Sequence, residues 1–265
     1  MPIAKLSDVD LYYEIEGERG PWIVFAHGGG DNHIHWWQQV GAFRDRYRCV
    51  VYDARWHGQS TQGTLPTPPD AQCKDLLGLM DALEIDRAFL NGHSMGGAAI
   101  SGVAINHPER VHGIVMTCTA LGFKTEALRR WAAQMVEEVG KGINIEKLLF
   151  APDFAIREPA LFYLCAELRR LNPVRPVPRD HKEYVKVYEQ MIDGPIDDYS
   201  RFTVPSLFAL AEQDGLQWPW LVEATAKVVN GSKLVRFEHS GHNVHVERTA
   251  EYNAALLAFL EAHHA

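Results

Sequence analysis

The 265-residue chain has no run of the roughly 18 consecutive apolar residues that a membrane-spanning helix needs. It also has no excess of positive charge, since 26 Lys and Arg stand against 34 Asp and Glu for a formal net charge of −8. Without a basic surface there is little to attract phosphate backbones or anionic lipid, so nucleic-acid and membrane partners are not expected. Cysteine is scarce. Cys49, Cys73, Cys118 and Cys165 lie too far apart for a CxxC metal knuckle and too sparsely for a disulfide scaffold, and they read as buried free thiols. Internal repeats, low-complexity tracts and an apolar leader with a small-residue cleavage site are missing as well. A cytosolic, unprocessed chain is the expectation, and 46% hydrophobic residues suit a globular protein of one to two domains.

What the chain does have is a series of buried-strand runs. Residues 22–26 (WIVFA), 47–52 (YRCVVY), 88–90 (AFL) and 111–118 (VHGIVMTC) are near-continuous apolar stretches, as strands covered on both faces require. Residues 9–16 alternate instead and end at Gly17, the pattern of an edge or hairpin strand. Helical spacing fills the gaps at 36–43, 75–83 and 98–106. This alternation predicts an α/β protein with a doubly wound, mostly parallel sheet. From about Gly122 the pattern turns helical. Leu128, Trp131, Ala132, Met135, Val136 and Val139 follow i, i+3, i+4 spacing, as do Leu161, Leu164, Cys165, Leu168 and Leu171, and then Tyr184, Val187, Tyr188 and Met191. Pro173, Pro176 and Pro178 mark loops of this all-helical insert, which ends near Gly194-Pro195. Strands at 206–211 (SLFALA) and 233–237 (KLVRF) and a terminal helix near 250–262 return to the sheet. The predicted division is a core of 1–121 and 200–265 interrupted by an insert of 122–199.

Gly92-His93-Ser94-Met95-Gly96 fits G-x-S-x-G between a strand and a helix, the setting of a nucleophile elbow. Small neighbours at Gly96, Gly97, Ala98 and Ala99 suit so sharp a turn. A phosphate-binding turn is the competing reading, but the P-loop lysine and the G-x-G-x-x-G glycines are lacking. A serine needs a base, and the base needs a third group to orient it. Strand-end loops supply both: Ala211-Glu212-Gln213-Asp214-Gly215, and Ser240-Gly241-His242. The chain order Ser94, Asp214, His242 is that of a Ser, acid, His triad on this kind of sheet. Glu212 competes for the acid, and His239 and His245 for the base. Charge developing on a substrate carbonyl calls for backbone N–H donors. Met95, just after the nucleophile, supplies one, and Gly29 in the His27-Gly28-Gly29-Gly30 turn supplies the second. His33 and His35, one residue apart, could suggest a metal site; with no further ligand at suitable spacing, packing in a loop or at a helix start is the better reading.

Four segments together resemble the α/β-hydrolase superfamily over essentially the whole chain. They are the oxyanion-loop-like His27-Gly28-Gly29-Gly30, the segment Asp53-Ala54-Arg55-Trp56-His57-Gly58-Gln59-Ser60 (similar to D-x-R-G-x-G-x-S), the elbow at 92–97, and Gly241-His242 with Glu247. Within the superfamily the chain is similar to small, capped, bacterial-type hydrolases, in which a helical cap lies between the sixth strand and the last core strands. That group includes carboxylesterases, lactonases, carbon–carbon hydrolases of ring-cleavage products, cofactor-free haloperoxidases and proline iminopeptidases. A serine at the elbow sets aside the aspartate-dependent dehalogenase and epoxide hydrolase branches. Trp56 departs from the pattern, which usually has glycine there. Asp53 and Arg55 are expected to make structural contacts.

The expected function is a serine hydrolase acting on a small-molecule substrate, an ester or lactone of modest size and apolar character, with no cofactor and no metal. A homodimer is compatible with such a chain. Two alternatives share the sequence features: hydrolysis of a carbon–carbon bond in a vinylogous diketone, and a ligand sensor on the same fold with slow turnover.

Overall fold

The central strands are buried on both sides, and successive side chains point to opposite faces of the sheet. In strand β3 (Trp22–Ala26), Ile23 and Phe25 join one apolar cluster while Val24 and Ala26 join another. The same alternation runs through β4 (Arg48–Tyr52), β5 (Ala88–His93), β6 (Val111–Thr117) and β7 (Ser206–Ala211). With β1 (Ile3–Lys5), β2 (Asp10–Glu16) and β8 (Lys233–Phe237) they form one eight-stranded sheet in the order β1-β2-β4-β3-β5-β6-β7-β8. β3 through β8 pair in parallel, and β1 and β2 are antiparallel at one edge. The computed structural model describes residues 2–64, 70–173, 186, 189–190, 192–193 and 195–264.

Helices cover both faces. α2 (Ala71–Ala82), α3 (Met95–Asn106) and α7 (Pro219–Val228) bury Leu76, Leu79, Ile100, Val103, Val222 and Ala226 against one side. On the other, α1 (Trp37–Phe43) and the terminal helix α8 (Thr249–His263) contribute Phe43, Tyr252, Leu256 and Phe259. A 3-10 turn (His33–Trp36) precedes α1. No helix among the described residues is long and apolar enough to cross a membrane.

The expected helical segment emerges between β6 and β7. α4 (Glu126–Gly140) is capped by Thr125, whose hydroxyl accepts from Leu128 N at 3.1 Å. Its predicted stripe of Leu128, Trp131, Ala132 and Met135 packs against Leu221 at the start of α7. A short turn α5 (Phe154–Arg157) and helix α6 (Pro159–Arg170) follow. The α6 stripe is buried only in part, because Cys165 packs with Ala151, Phe154 and Val246 whereas Leu164 and Leu171 are exposed. The third predicted stripe, Tyr184, Val187, Tyr188 and Met191, lies outside the described residues, as do Pro176, Pro178 and Gly194. Two elements were not anticipated: the three-residue β1, and α7 between the last two strands. The helix after the elbow also begins earlier than expected, at Met95 rather than at residue 98, because the turn into it is complete within one residue.

Candidate active site

Parallel strands release their loops at one edge of the sheet, and every segment singled out for chemistry leaves a strand there. The elbow follows β5, the glycine turn follows β3, the Asp53 segment follows β4, and the Asp214 and His242 loops follow β7 and β8.

Ser94 sits between β5 and α3 with φ 49° and ψ −114°, a conformation that L residues rarely adopt and that costs on the order of 1–3 kcal/mol. Neighbouring backbone enforces it. Ser94 N donates to Thr117 O at 3.1 Å, and Ser94 O accepts from Gly97 N and Thr119 Oγ1, each at 2.9 Å. Close approach explains the glycines. A Cβ at Gly92 would stand 2.6 Å from Gly96 O, and one at Gly96 would stand 2.2 Å from Ala26 O. Met95 opens α3, so its N–H has no partner within the helix and faces outward as a donor.

His242 and Asp214 meet in the interior, each 4% exposed or less. His242 Nδ1 lies 2.8 Å from Asp214 Oδ2. A carboxylate only accepts, so Nδ1 carries the proton and Nε2 is left as an acceptor. Asp214 Oδ1 is occupied by Leu216 N at 2.8 Å and Gln217 N at 2.9 Å, which fixes the carboxylate plane. The rivals stand elsewhere. Glu212 and His239 are exposed, and His245 is buried without a hydrogen bond on either ring nitrogen. His93, the residue before Ser94, sets its ring at a tilt with its centroid 4.7 Å from that of His242 and donates from Nε2 to His242 O at 2.9 Å. The structure thus joins Asp214 to His242 directly and relates Ser94 to them through His93.

Gly29 is exposed beside Met95, where a Cβ would come 3.9 Å from Met95 Cβ. The turn around it is tied down. His27 Nε2 accepts from Ala54 N at 2.9 Å, which leaves Nδ1 protonated and donating to Gly28 O at 2.8 Å. Asp31 N donates to the same oxygen at 3.1 Å.

Several residues near the site escaped the sequence reading. Asp31 is buried behind the glycine turn, 3.6 Å from His93 Nδ1 and 3.7 Å from His35 Nδ1, and it pairs with Arg169 of α6 at 2.5 Å. Burial alone would raise its carboxyl, but His35, Arg169 and His93 outweigh that and hold it well below the usual range. Burial pushes the His93 imidazole down to about 4, so it is neutral near pH 7. Glu247 accepts from Gly241 N at 3.1 Å and from Ala151 N at 3.0 Å, and burial pushes its carboxyl up to about 7. The Asp31–Arg169, Asp31–His93 and Glu247–Ala151 contacts join residues far apart in sequence, and only Glu247 lies within a recognised segment.

Asp53 and Arg55 make structural contacts, though not with each other. Asp53 accepts from His33 N and Gln59 N, each at 2.8 Å, and Arg55 forks onto Asp75 at 2.7 and 2.8 Å and reaches Asp8 at 3.0 Å. Trp56, at the position where glycine was expected, has φ 69°. His33 and His35 diverge, to Asp53 Oδ1 at 2.7 Å and to Asn243 Oδ1 at 3.1 Å. Among the described residues no group of three or more His, Cys, Asp or Glu is placed to hold a metal ion. Among the large apolar side chains between β6 and β7, Trp131, Met135 and Phe154 are buried in helix packing, Phe162 and Tyr163 are exposed, and Tyr184 and Tyr188 lie outside the described residues.

A mostly parallel sheet with a strained serine turn and a buried acid–histidine pair at its loop edge defines a hydrolase scaffold. The chain belongs to the alpha/beta hydrolase family, whose model matches residues 23–255. It is similar to 3-oxoadipate enol-lactonase 2 of Acinetobacter baylyi, 34% identical over 135 residues, a match that spans 51% of each chain and so about half the length of that relative. A putative carbamate hydrolase, RutD of Azorhizobium caulinodans, is 26% identical over 273 aligned positions covering 98% of both chains. Among solved structures, the enol-lactonase from Burkholderia xenovorans LB400 superposes with a TM-score of 0.76 at 25% identity, covering 98% of this chain and 100% of that one.

Proposed function

We propose that the protein is a serine hydrolase that cleaves a carboxylic ester or lactone of a small to medium, apolar molecule. The observation that carries this reading is the buried Asp214–His242 pair at the same sheet edge as the strained Ser94 turn. Ser94 attacks the carbonyl carbon while His242 Nε2 takes its proton. Asp214 holds the imidazole in the required tautomer and stabilises the imidazolium. The oxyanion is held by the amides of Gly29 and Met95. The proton on His242 then passes to the leaving oxygen, and water activated by the same ring clears the acyl-enzyme. The segment 122–199 acts as a cap over this site. Similarity to proteins named as enol-lactonases favours esters and lactones as the first substrates to try.

The test is hydrolysis of p-nitrophenyl acetate through octanoate, aliphatic and aromatic lactones and a simple aryl carbamate by wild type and Ser94→Ala side by side. Repeated turnover by wild type, with the variant lower by several orders of magnitude, is the expected result. Turnover that survives in Ser94→Ala would remove the serine mechanism, and wild type inert on every ester and lactone would remove the substrate class.

A further inference from the structure

Two side chains at the end of α6 reach across to the loop that carries Gly29. Asn172 donates from Nδ2 to Gly30 O at 2.5 Å and accepts on Oδ1 from Gly58 N at 2.8 Å. Arg169 lays its guanidinium over Gly30, where a Cβ would fall 2.5 Å from Nη2, and donates from Nη1 to Asp31 Oδ1 at 2.5 Å. From the other direction Asn32 Nδ2 donates to Leu168 O at 2.8 Å. Residues 30, 31 and 32 are therefore each held by the last turn of α6 or by Asn172 just after it, 136 to 142 positions away in sequence. This matters for the neighbouring peptide. A trans peptide is planar, with its C=O and N–H opposed. Because Gly28 O is bound by His27 and by Asp31 N, the Gly29 N–H is aimed the other way. The core therefore sets one side of the loop. The opposite side, from Gly30 onward, is set by α6.

We propose that Arg169 and Asn172 are positioning residues that keep the Gly29 amide in register with the Met95 amide, so that the oxyanion hole is complete only when the end of α6 is seated on the loop. This rests on the reading of Gly29 and Met95 as the oxyanion donors. Asp31 is the anchor on the core side. Its buried carboxylate accepts the guanidinium and also faces His93, which contacts His242, so α6 is linked to both the glycine turn and the histidine loop. Asn172 is only half-buried at the end of a helix, so removing its amide leaves the core intact.

The experiment compares wild type, Asn172→Ala and Arg169→Lys on the preferred ester, together with inhibition by phenylboronic acid, which forms a tetrahedral adduct when the serine oxygen adds to boron. Misplacing one donor is expected to lower kcat by about 10- to 100-fold, with KM little changed and boronate affinity reduced in step with kcat. Arg169→Lys keeps the charge on Asp31 but loses the planar fork, and is expected to lose less than Asn172→Ala. Unchanged kcat and boronate affinity in folded Asn172→Ala overturn the proposal and leave the serine-hydrolase reading standing. A raised KM with kcat and boronate affinity intact also overturns it, since the contact would then serve ground-state binding. Absence of turnover and of boronate binding in wild type itself overturns the reading of the site and the proposal with it.

Discussion

The two oxygens of Asp214 have different work: Oδ1 holds the Leu216 and Gln217 amides, and Oδ2 faces His242 Nδ1. Replacing the acid by its amide therefore has a predictable geometry. In Asp214→Asn the one remaining oxygen stays with the two N–H donors, and the new NH2 group points at Nδ1. His242 must then present a lone pair there and carry its proton on Nε2, where it can no longer accept from Ser94. The expected loss in kcat is about 10⁴-fold with nearly unchanged thermal stability; a loss of less than about tenfold would show that Asp214 does not orient the base. Glu247 makes a different prediction, about pH. Its folded-state value of about 7 stands above the ordinary 4.5 because burial disfavours the charge. Between those values the folded chain holds a proton that the unfolded chain has released, so stability falls as pH rises through this window. The contribution is fully present below 4.5 and lost above about 7, on the order of 3 kcal/mol in all. Glu247→Gln removes the ionisation. Urea midpoints at about pH 5 and about pH 8 should therefore differ less in the variant than in wild type; an equal difference in both proteins would place the carboxylate outside this linkage.

At the scale of elements, the turn from β5 into α3 is closely packed against β3. A methyl at Gly96 would meet Ala26 O at 2.2 Å, so Gly96→Ala must push α3 off β3 and move Ser94 with it. A cost of roughly 1–3 kcal/mol and a large fall in kcat are expected. Gly41, inside α1 and with nothing within 4 Å of an added Cβ, provides the contrast. Gly41→Ala should stabilise by about 0.5–1 kcal/mol through helix propensity and leave kcat alone. Urea midpoints and kcat for the two variants check both statements, and equal effects would mean that close packing does not govern the elbow. The same contrast explains what could be read beforehand. The elbow, the glycine turn and the Asp214 and His242 loops were legible because each is a local pattern attached to an apolar strand run. The near-continuous apolar runs were legible for the same reason, and they marked strands covered on both faces. β1 was not legible, since Ile3–Lys5 is too short to show a period. α7 carried a signal that was passed over: Pro219 at its first turn, with Leu221, Val222 and Ala226 at helical spacing. Arg169, Asn172 and Asp31 carried none, because what gives them a role is a contact across 138 positions. Trp56 was visible as a departure, but the cause, a φ of 69° that favours glycine, is seen only in the backbone.

For the whole molecule, the segment between β6 and β7 touches three of the loops that carry candidate groups. Trp131 Nε1 donates to Leu216 O in the Asp214 loop, Leu149 O and Ala151 N bind Asn243 and Glu247 in the histidine loop, and α6 holds the glycine turn. Stability and activity are therefore coupled on that side of the sheet. On the antiparallel edge they should separate. There Arg55 joins three distant pieces of chain: Asp8 before β2, its own loop after β4, and Asp75 on α2. Arg55 and Asp75 are both nearly inaccessible, at 4% and 5% exposed. Removing the guanidinium strands a carboxylate in the interior, and Arg55→Met is expected to cost about 3–5 kcal/mol. Replacing both partners removes the buried charge as well as its counterion. The double variant Arg55→Met, Asp75→Leu should then recover much of that loss. Because the Arg55 guanidinium bonds to Asp75 and Asp8 rather than to the Ser94, Asp214 or His242 loops, kcat per folded molecule should stay at the wild-type level in both variants. Urea melts with kcat corrected for the folded fraction would decide this. A double variant no better than Arg55→Met would mean that the pair acts through packing rather than charge, and a fall in kcat that outlasts the correction would mean that this edge, too, helps to set the site.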